Sequence, residues 1–385
     1  MDLTGLCYAL LRGTVCLRTR FIKFIVIIQF TLFAAHWFVY ETWTAFDGRS
    51  DPSGITGLKV AMAILSVTFV PASLLAFRYS NFWTKLFYRL SAVWLGMLNF
   101  FVLAACLCWT VYLGERMVGL PGGRPVLAES IFGLAIFIGF CGVINARRVR
   151  LKRIKVKLPN LPSSWRGRTA ALVSDLHLGH VNGRGFIRKV VARLRRLGPN
   201  VVFIAGDLFD GVRVRIGNLA AEWRGISPEL GAYFVTGNHE EFSDPTKYLA
   251  ALSNAGVRVL NNERVTLDDL DIVGVHYRDS VHPERFRSVL QGAGLDHGRP
   301  SILLMHSPHG LEIAEKEGVS LQLSGHTHGG QIYPFIWFTK RIFREYAYGL
   351  NRFGKMMVYT SSGCGTWGPP MRVGTRPEIV LIEFE

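Results

Sequence analysis

Four long apolar runs fill the first 146 residues: Phe24–Tyr40, Leu58–Phe77, Ala92–Leu113 and Val126–Ala146. An apolar helix needs roughly 20 residues to cross the hydrocarbon core of a bilayer, and it must satisfy its own backbone there. The second, third and fourth runs reach that length, while the first is the shortest and needs help from its flanks. The predicted architecture therefore starts with a transmembrane region of four helices over residues 1–146. The first run has a basic leader (Arg12, Arg18, Arg20, Lys23), as a secretory signal would. It ends in His36-Trp37-Phe38-Val39-Tyr40 rather than in a small-residue cleavage site. An aromatic cluster suits a membrane interface, so this run is read as a retained anchor.

Lysine and arginine gather in alternate loops. The leader is basic, the first loop carries Glu41, Asp47, Arg49 and Asp51, and the second carries Arg78, Lys85 and Arg89. The third holds Glu115, Arg116 and Arg124, with Glu129 just inside the fourth run, and the strongly basic stretch Arg147–Lys157 comes directly after that run. Positive charge marks the cytoplasmic side, so both ends of this multi-pass region, and the rest of the chain, are expected in the cytoplasm at the cell membrane. The stretch contributes much of the net charge of +16. Anionic headgroups and a bare topology signal explain it equally well. Its place beside a span argues against nucleic acid as the partner. Residues 147–162 are read as a basic juxtamembrane linker that ends in the stiff Leu158-Pro159-Asn160-Leu161-Pro162.

Residues 163–385 have a different pattern. Short apolar runs (Ala170–Val173, Val201–Ala205, Tyr233–Thr236, Ile272–Val275, Ser301–Met305, Leu321–Leu323, Val358–Thr360, Ile379–Glu383) end in glycine or polar residues. Such runs, with helices between them, predict the buried strands of a layered α/β domain. Phe186–Leu197 has apolar residues at helical spacing and a basic opposite face, read as a solvated helix surface. The six cysteines form no metal-type pair and call for no disulfide framework.

Five of these strands deliver metal-ligating residue types where they stop. The blocks are Ser174-Asp175-Leu176-His177, Gly206-Asp207-Leu208-Phe209-Asp210, Gly237-Asn238-His239-Glu240, His306-Ser307-Pro308-His309 and Gly325-His326-Thr327-His328. Asp-x-His and His-x-His put two ligands on one side of an extended backbone. Mixed carboxylate and imidazole donors suit Mn, Fe or Zn rather than Ca or Mg. One aspartate can bridge two cations roughly 3.5–4 Å apart, and such a pair clamps phosphate and acidifies water. Each block alone is weak, but five in order point to a metal site. His309 is either a substrate contact or a loop support, and His180, His276, His282 and His297 read as surface or loop residues.

These blocks resemble the calcineurin-like metallophosphoesterase superfamily, from about Ala170 onward. The tail Tyr359–Pro370 with Arg376-Pro377-Glu378-Ile379 is similar to its membrane-associated bacterial phosphodiesterase branch, which also includes an animal transmembrane protein with a metallophosphoesterase domain. The resemblance implies a layered β-sandwich flanked by helices and two divalent metal ions. It implies that Asp175, His177 and His328 hold the first metal, that Asn238, His306 and His326 hold the second, and that Asp207 bridges them. His239 would be the catalytic proton donor and Asp210 its orienting partner, with attack by a metal-bound hydroxide on a phosphodiester or pyrophosphate.

Three functions are compatible with these readings. A tethered site meets membrane lipids at high effective concentration, which favours a lipid-linked phosphate as substrate. The helices could instead merely anchor a phosphodiesterase for soluble substrates. A transport or sensing bundle with a regulatory metal domain needs polar residues in the spans, and those there are scattered, such as Gln29, His36, Thr68 and Asn99, with no run of acids or bases.

Overall fold

The structure, a computed structural model, describes residues 15–48, 52–119, 124–242 and 245–385. Arg12 of the basic leader, and Arg49 and Asp51 of the first loop, lie outside the described residues. The chain forms two units. One is helical and extends to Asn145, with the later segment Gly368–Val373 added to it; the other is α/β and comprises Ala146–Trp367 and Gly374–Glu385.

The helical unit contains α1 (Val15–Asp47), α2 (Pro52–Ser66), α3 (Phe69–Arg78), α4 (Phe82–Met117) and α5 (Arg124–Ala146). Among the described residues, four stretches are long and apolar enough to cross a membrane: Ile22–Asp47, Ser53–Arg78, Phe82–Met117 and Arg124–Ala146. The first apolar run gains its length because α1 continues to Asp47. The second stretch is broken between α2 and α3. Pro71 lacks the N–H that would return to Val67, and Val67 and Thr68 instead close tight turns onto Ile64 and Leu65 at 3.2 Å each.

Polar groups within the bundle find partners. Gln29 Nε2 donates to the Ser66 carbonyl at 2.9 Å, and Trp109 Nε1 donates to Thr42 Oγ1 at 3.0 Å. Trp94 Nε1 donates to His36 Nε2 at 2.8 Å, which leaves His36 Nδ1 to donate to the Leu32 carbonyl at 2.7 Å. These bonds tie α1 to α2 and α4, and both nitrogens of His36 are consumed by structure. Gly142 matters for close approach, because a Cβ there would lie 2.7 Å from Met371 Cγ. The Arg372 N–H donates to the Gly142 carbonyl at 3.0 Å, and Asn145 Nδ2 donates to the Arg372 carbonyl at 2.9 Å, so α5 grips Gly368–Val373.

Twelve strands build the α/β unit: β1 (Arg150–Val156), β2 (Thr169–Val173), β3 (Val201–Ala205), β4 (Ala232–Val235), β5 (Val257–Val259), β6 (Glu263–Leu267), β7 (Leu270–Gly274), β8 (Ser301–Leu304), β9 (Leu321–Ser324), β10 (Gly349–Phe353), β11 (Met356–Thr360) and β12 (Glu378–Phe384). They form two six-stranded sheets, in the orders β1-β12-β2-β3-β4-β5 and β10-β11-β9-β8-β7-β6. Strands β2 to β5 run parallel, as do β7, β8, β9 and β11. The inner faces share one apolar core that includes Trp165, Leu172, Phe203, Tyr233, Ile302, Leu323, Tyr359 and Phe384. Helix α6 (Arg184–Leu197) covers the outer face of the first sheet through Ile187, Val190, Val191 and Leu194. Helix α7 (Pro283–Ala293) covers the second through Phe286 and Leu290. The sandwich flanked by helices is thus the expected one.

The expected linker differs. Arg150–Val156 is the edge strand β1, paired in parallel with β12 from Arg150↔Glu378 to Val156↔Phe384. Its charges hid the strand. Lys152, Arg153 and Lys155 stay exposed, Val156 is buried, and lysine-rich edges deter sheet-to-sheet association.

Trp165 is wholly buried, packs edge-on against Phe384 at 5.3 Å and donates from Nε1 to the Leu267 carbonyl at 2.9 Å. Trp165→Ala should cost about 3–5 kcal/mol, the usual range for an aromatic core truncation. Denaturant unfolding of the detergent-solubilised chain, followed by circular dichroism, measures the loss.

Candidate metal centre

Parallel strands bring their C-terminal ends to one edge of a sheet, where open α/β folds bind ligands. Strand β2 ends just before Asp175 and His177, β3 before Asp207 and Asp210, and β4 before Asn238 and His239. From the second sheet, β8 ends before His306, and β9 before His326 and His328. Five of these residues have left-handed backbone: Asp175 (φ 51°), His177 (46°), Asp207 (49°), His326 (71°) and His328 (50°). Such conformations cost on the order of 1–3 kcal/mol each and gather at functional sites. Gly237 and Gly325 permit the crowding, since a Cβ at either would fall 2.2 Å from Asp207 Oδ1 or 2.4 Å from Asp175 Oδ2.

All nine residues expected from the sequence come together here. Ligand atoms of Asp175, His177 and His328 lie within 4.8 Å of one another, as do those of Asp207, His306 and His326, and those of His177, Asp210 and His239. His177 Nε2 faces His328 Nε2 at 3.0 Å, and His328 Nε2 is 3.6 Å from Asp175 Oδ1. In the second group, His306 Nε2 stands 3.2 Å from Asp207 Oδ2 and 3.2 Å from His326 Nδ1. Asn238 Oδ1 is 3.1 Å from His306 Nε2 and 3.0 Å from His326 Nδ1. Asp207 Oδ2 also lies 3.8 Å from His177 Nε2, so one carboxylate oxygen is near both groups.

The donor set fits a metal. His306 Nδ1 donates to the Ala205 carbonyl at 2.8 Å, which turns Nε2 inward and fixes the ring. Carboxylate, amide and imidazole acceptors then converge with few protons to bridge them, a set suited to Mn, Fe or Zn. The electrostatics are uneven. Burial raises the Asp175 carboxyl above its ordinary range. Burial also pushes Asp207 upward, but the His306 and His239 rings outweigh it and hold Asp207 well below that range. Burial depresses His306, yet the Asp207 carboxylate reverses this and raises it to about 9. Burial and the nearby His306 take His326 down to about 3.

Asp210 serves two rings. Its Oδ1 is 3.6 Å from His239 Nδ1, the expected partner, but 3.3 Å from His177 Nδ1. Burial raises its carboxyl to about 7. The His239 N–H donates to Asp207 Oδ1 at 2.8 Å, and its ring meets that of Trp367 with centroids 6.1 Å apart. On the other side the Phe343 ring lies 6.1 Å from His326 and 5.3 Å from His309. His180 is wholly buried rather than at the surface, and His276 Nε2 is 3.1 Å from Glu241 Oε1.

Glu240 is the residue that sequence reasoning passed over. Its carboxylate accepts the N–H groups of Asp207 (3.0 Å), Phe209 (2.9 Å) and Gly237 (2.7 Å). Burial and the Asp207 charge raise its carboxyl to about 8. The available signal was its place in the Gly237–Glu240 block, where the glycine, asparagine and histidine each had a role and the acid had none. Glu378 does similar service for the tail, accepting from Tyr348 Oη (2.9 Å), Tyr359 Oη (3.0 Å) and the Ser362 N–H (3.2 Å).

A two-sheet sandwich with aspartate, asparagine and histidine at the strand ends defines a class of metal-dependent phosphoesterases, and comparison with known proteins agrees. The calcineurin-like phosphoesterase family profile matches residues 169–330. An uncharacterized metallophosphoesterase of Aquifex aeolicus is 31% identical over 259 residues, which is 66% of this chain and 98% of that protein. The transmembrane protein with metallophosphoesterase domain of Bos taurus is 29% identical over 380 residues, covering 86% of this chain and 84% of that protein. An uncharacterized metallophosphoesterase of Campylobacter jejuni is 29% identical over 270 residues, with 68% of this chain and 70% of that protein covered. The chain belongs to the calcineurin-like metallophosphoesterases.

Glu240→Ala orphans three N–H groups at about 1–3 kcal/mol each, so the expected loss of stability is at least about 3 kcal/mol. Denaturant unfolding of the variant beside the parent chain reads it.

Proposed function

We propose that the chain is a membrane-anchored dinuclear-metal hydrolase that cleaves a phosphodiester or pyrophosphate bond, with a lipid-linked phosphate as its substrate. One observation carries the hydrolytic part: Asp207 Oδ2 stands 3.2 Å from His306 and 3.8 Å from His177, between two sets of ligands. In this reading Asp175, His177 and His328 hold one divalent cation, Asn238, His306 and His326 hold the other, and Asp207 is shared. Two such cations supply Lewis acidity toward the phosphoryl oxygens and acidify a coordinated water.

The protein's own groups do the rest. The His306 Nδ1–Ala205 bond keeps the second set aligned, and Glu240 fixes the turn that aims Asp207. His239 holds a proton at Nε2 for the departing oxygen, while Asp210 faces Nδ1 of both His239 and His177. The rings of Trp367 and Phe343 flank the cluster. The lipid part of the reading is supported by four helices able to cross a membrane and by the three-residue connection, Arg147–Val149, from α5 to β1. Tethering multiplies encounters with membrane substrates over soluble ones. The alternation of lysine and arginine among the loops favours a cytoplasmic site.

Asp207→Ala should lower turnover of an aryl phosphodiester by at least about 10³-fold, the scale seen when a group that stabilises developing charge is lost. Elemental analysis of the same protein should find fewer metal ions per chain than in the parent. His239→Ala should keep its metal and lose about 10²–10⁴-fold in kcat, as for a missing general acid. Unchanged turnover in the Asp207 variant would sink the two-metal reading. Detergent-dispersed phospholipids and lipid pyrophosphates complete the assay. Activity confined to the aryl diester, and equal with the lipids present, would favour a soluble substrate. A C-terminal alkaline phosphatase fusion should be inactive, because that reporter works only outside the cytoplasm.

A further inference from the structure

After His326-Thr327-His328 the chain makes a helix of which only its last residue, Phe343, borders the catalytic cluster. Helix α8 (Phe335–Phe343) has the sequence Phe-Ile-Trp-Phe-Thr-Lys-Arg-Ile-Phe, and no residue in it is buried. Phe335 is 52% exposed, Trp337 63%, Phe338 63% and Ile342 70%. Tyr333 extends the patch, its ring 4.9 Å from that of Trp337. Soluble surfaces seldom leave large apolar groups contiguous in this way, and such a patch marks an interaction site. Lys340, Arg341 and Arg344 are exposed beside it.

The helix is fixed to the metal centre. A Cβ at Gly330 would lie 2.4 Å from Ile336 Cα, so the backbone of α8 lies directly on the loop that carries His328. At its other end Phe343 meets His309 and His326. Whatever α8 binds is thereby held at the rim of the cluster.

We infer that α8 lies in the interfacial layer of a lipid bilayer, with Phe335, Trp337, Phe338 and Ile342 among the acyl-chain ends and Lys340, Arg341 and Arg344 on anionic headgroups. Aromatic and aliphatic groups on one part and lysine and arginine beside them are the composition of helices that lie in that layer. Charge complementarity selects this occupant over a second copy of the chain. An isologous contact would set the cluster of Lys340, Arg341 and Arg344 near its own image, and like charges there are repulsive. The four helices able to cross a membrane keep a bilayer within reach of the same chain. This inference goes beyond the proposed hydrolysis and does not depend on it.

The test uses the full chain in vesicles of phosphatidylcholine and phosphatidylglycerol. Dansylalanine replaces Trp337, Phe338 or, as a control, Glu284 on α7, and quenching by nitroxide-bearing phosphatidylcholine is read. All three positions are exposed, so the replacements leave the core intact. Quenching should be several-fold stronger at Trp337 and Phe338 than at Glu284, and should weaken when phosphatidylglycerol is replaced by phosphatidylcholine. Equal quenching at the three positions would overturn the inference. So would protection of Trp337 that rises with protein density rather than with lipid, because that outcome belongs to a second copy.

Discussion

Four of the five strand ends are held in register by what surrounds one carboxylate. Asp207 accepts the His239 N–H through Oδ1 at 2.8 Å and faces His306 at 3.2 Å and His177 at 3.8 Å through Oδ2. Its own N–H is fixed by Glu240 at 3.0 Å. A shift of one ångström at Asp207 would therefore disturb β2, β3, β4 and β8 together. The left-handed backbone at Asp175, His177, Asp207, His326 and His328 is a consequence of this demand. A chain that must stop five strands and turn their side chains to one point has few unstrained ways to do so. The sandwich core and the Glu240 clamp hold conformations that the local sequence would not choose.

The tail performs a related task from the other direction. Glu378, buried at the start of β12, binds Tyr359 of β11, Tyr348 and the Ser362 N–H. Cys364 Sγ donates to the Glu378 carbonyl at 2.9 Å. Gly363 then passes so close to Asp175 that a Cβ would sit 2.7 Å from the Asp175 Cβ. The glycine-rich tail thus presses on the first ligand group, and Trp367 reaches the His239 ring from it.

The parts that were legible in the sequence share a physical cause. The long apolar helices were legible because their runs are nearly unbroken, and the strand-end blocks because histidine and aspartate recur there at regular spacing. Strand β1 was not legible: its period-two signal is overwritten by Lys152, Arg153 and Lys155, charges that an exposed edge requires. Nor was the break near Pro71 foreseen, since hydropathy is blind to a missing N–H. Glu240 was passed over because its partners are backbone N–H groups, and its one mark in the sequence was an acid without a role in the Gly237–Glu240 block. Asp210 was seen, but pairing it with His239 alone missed His177, which only the fold brings to 3.3 Å.

Polar side chains of the helical unit join helix to helix. His36 spends both ring nitrogens on Trp94 and Leu32, and Gln29 binds the Ser66 carbonyl. A proton or ion pathway needs titratable groups with unspent capacity facing a polar route, whereas these groups join helix to helix. The helices also take in a late piece of the chain, because Gly142 and Asn145 bind Arg372 of the Gly368–Val373 segment. Among the described residues the backbone passes between the two units after α5, after Trp367 and again before Gly374. A chain cut after Asn145 would keep every strand yet leave Gly368–Val373 without the carbonyl and amide that bind it.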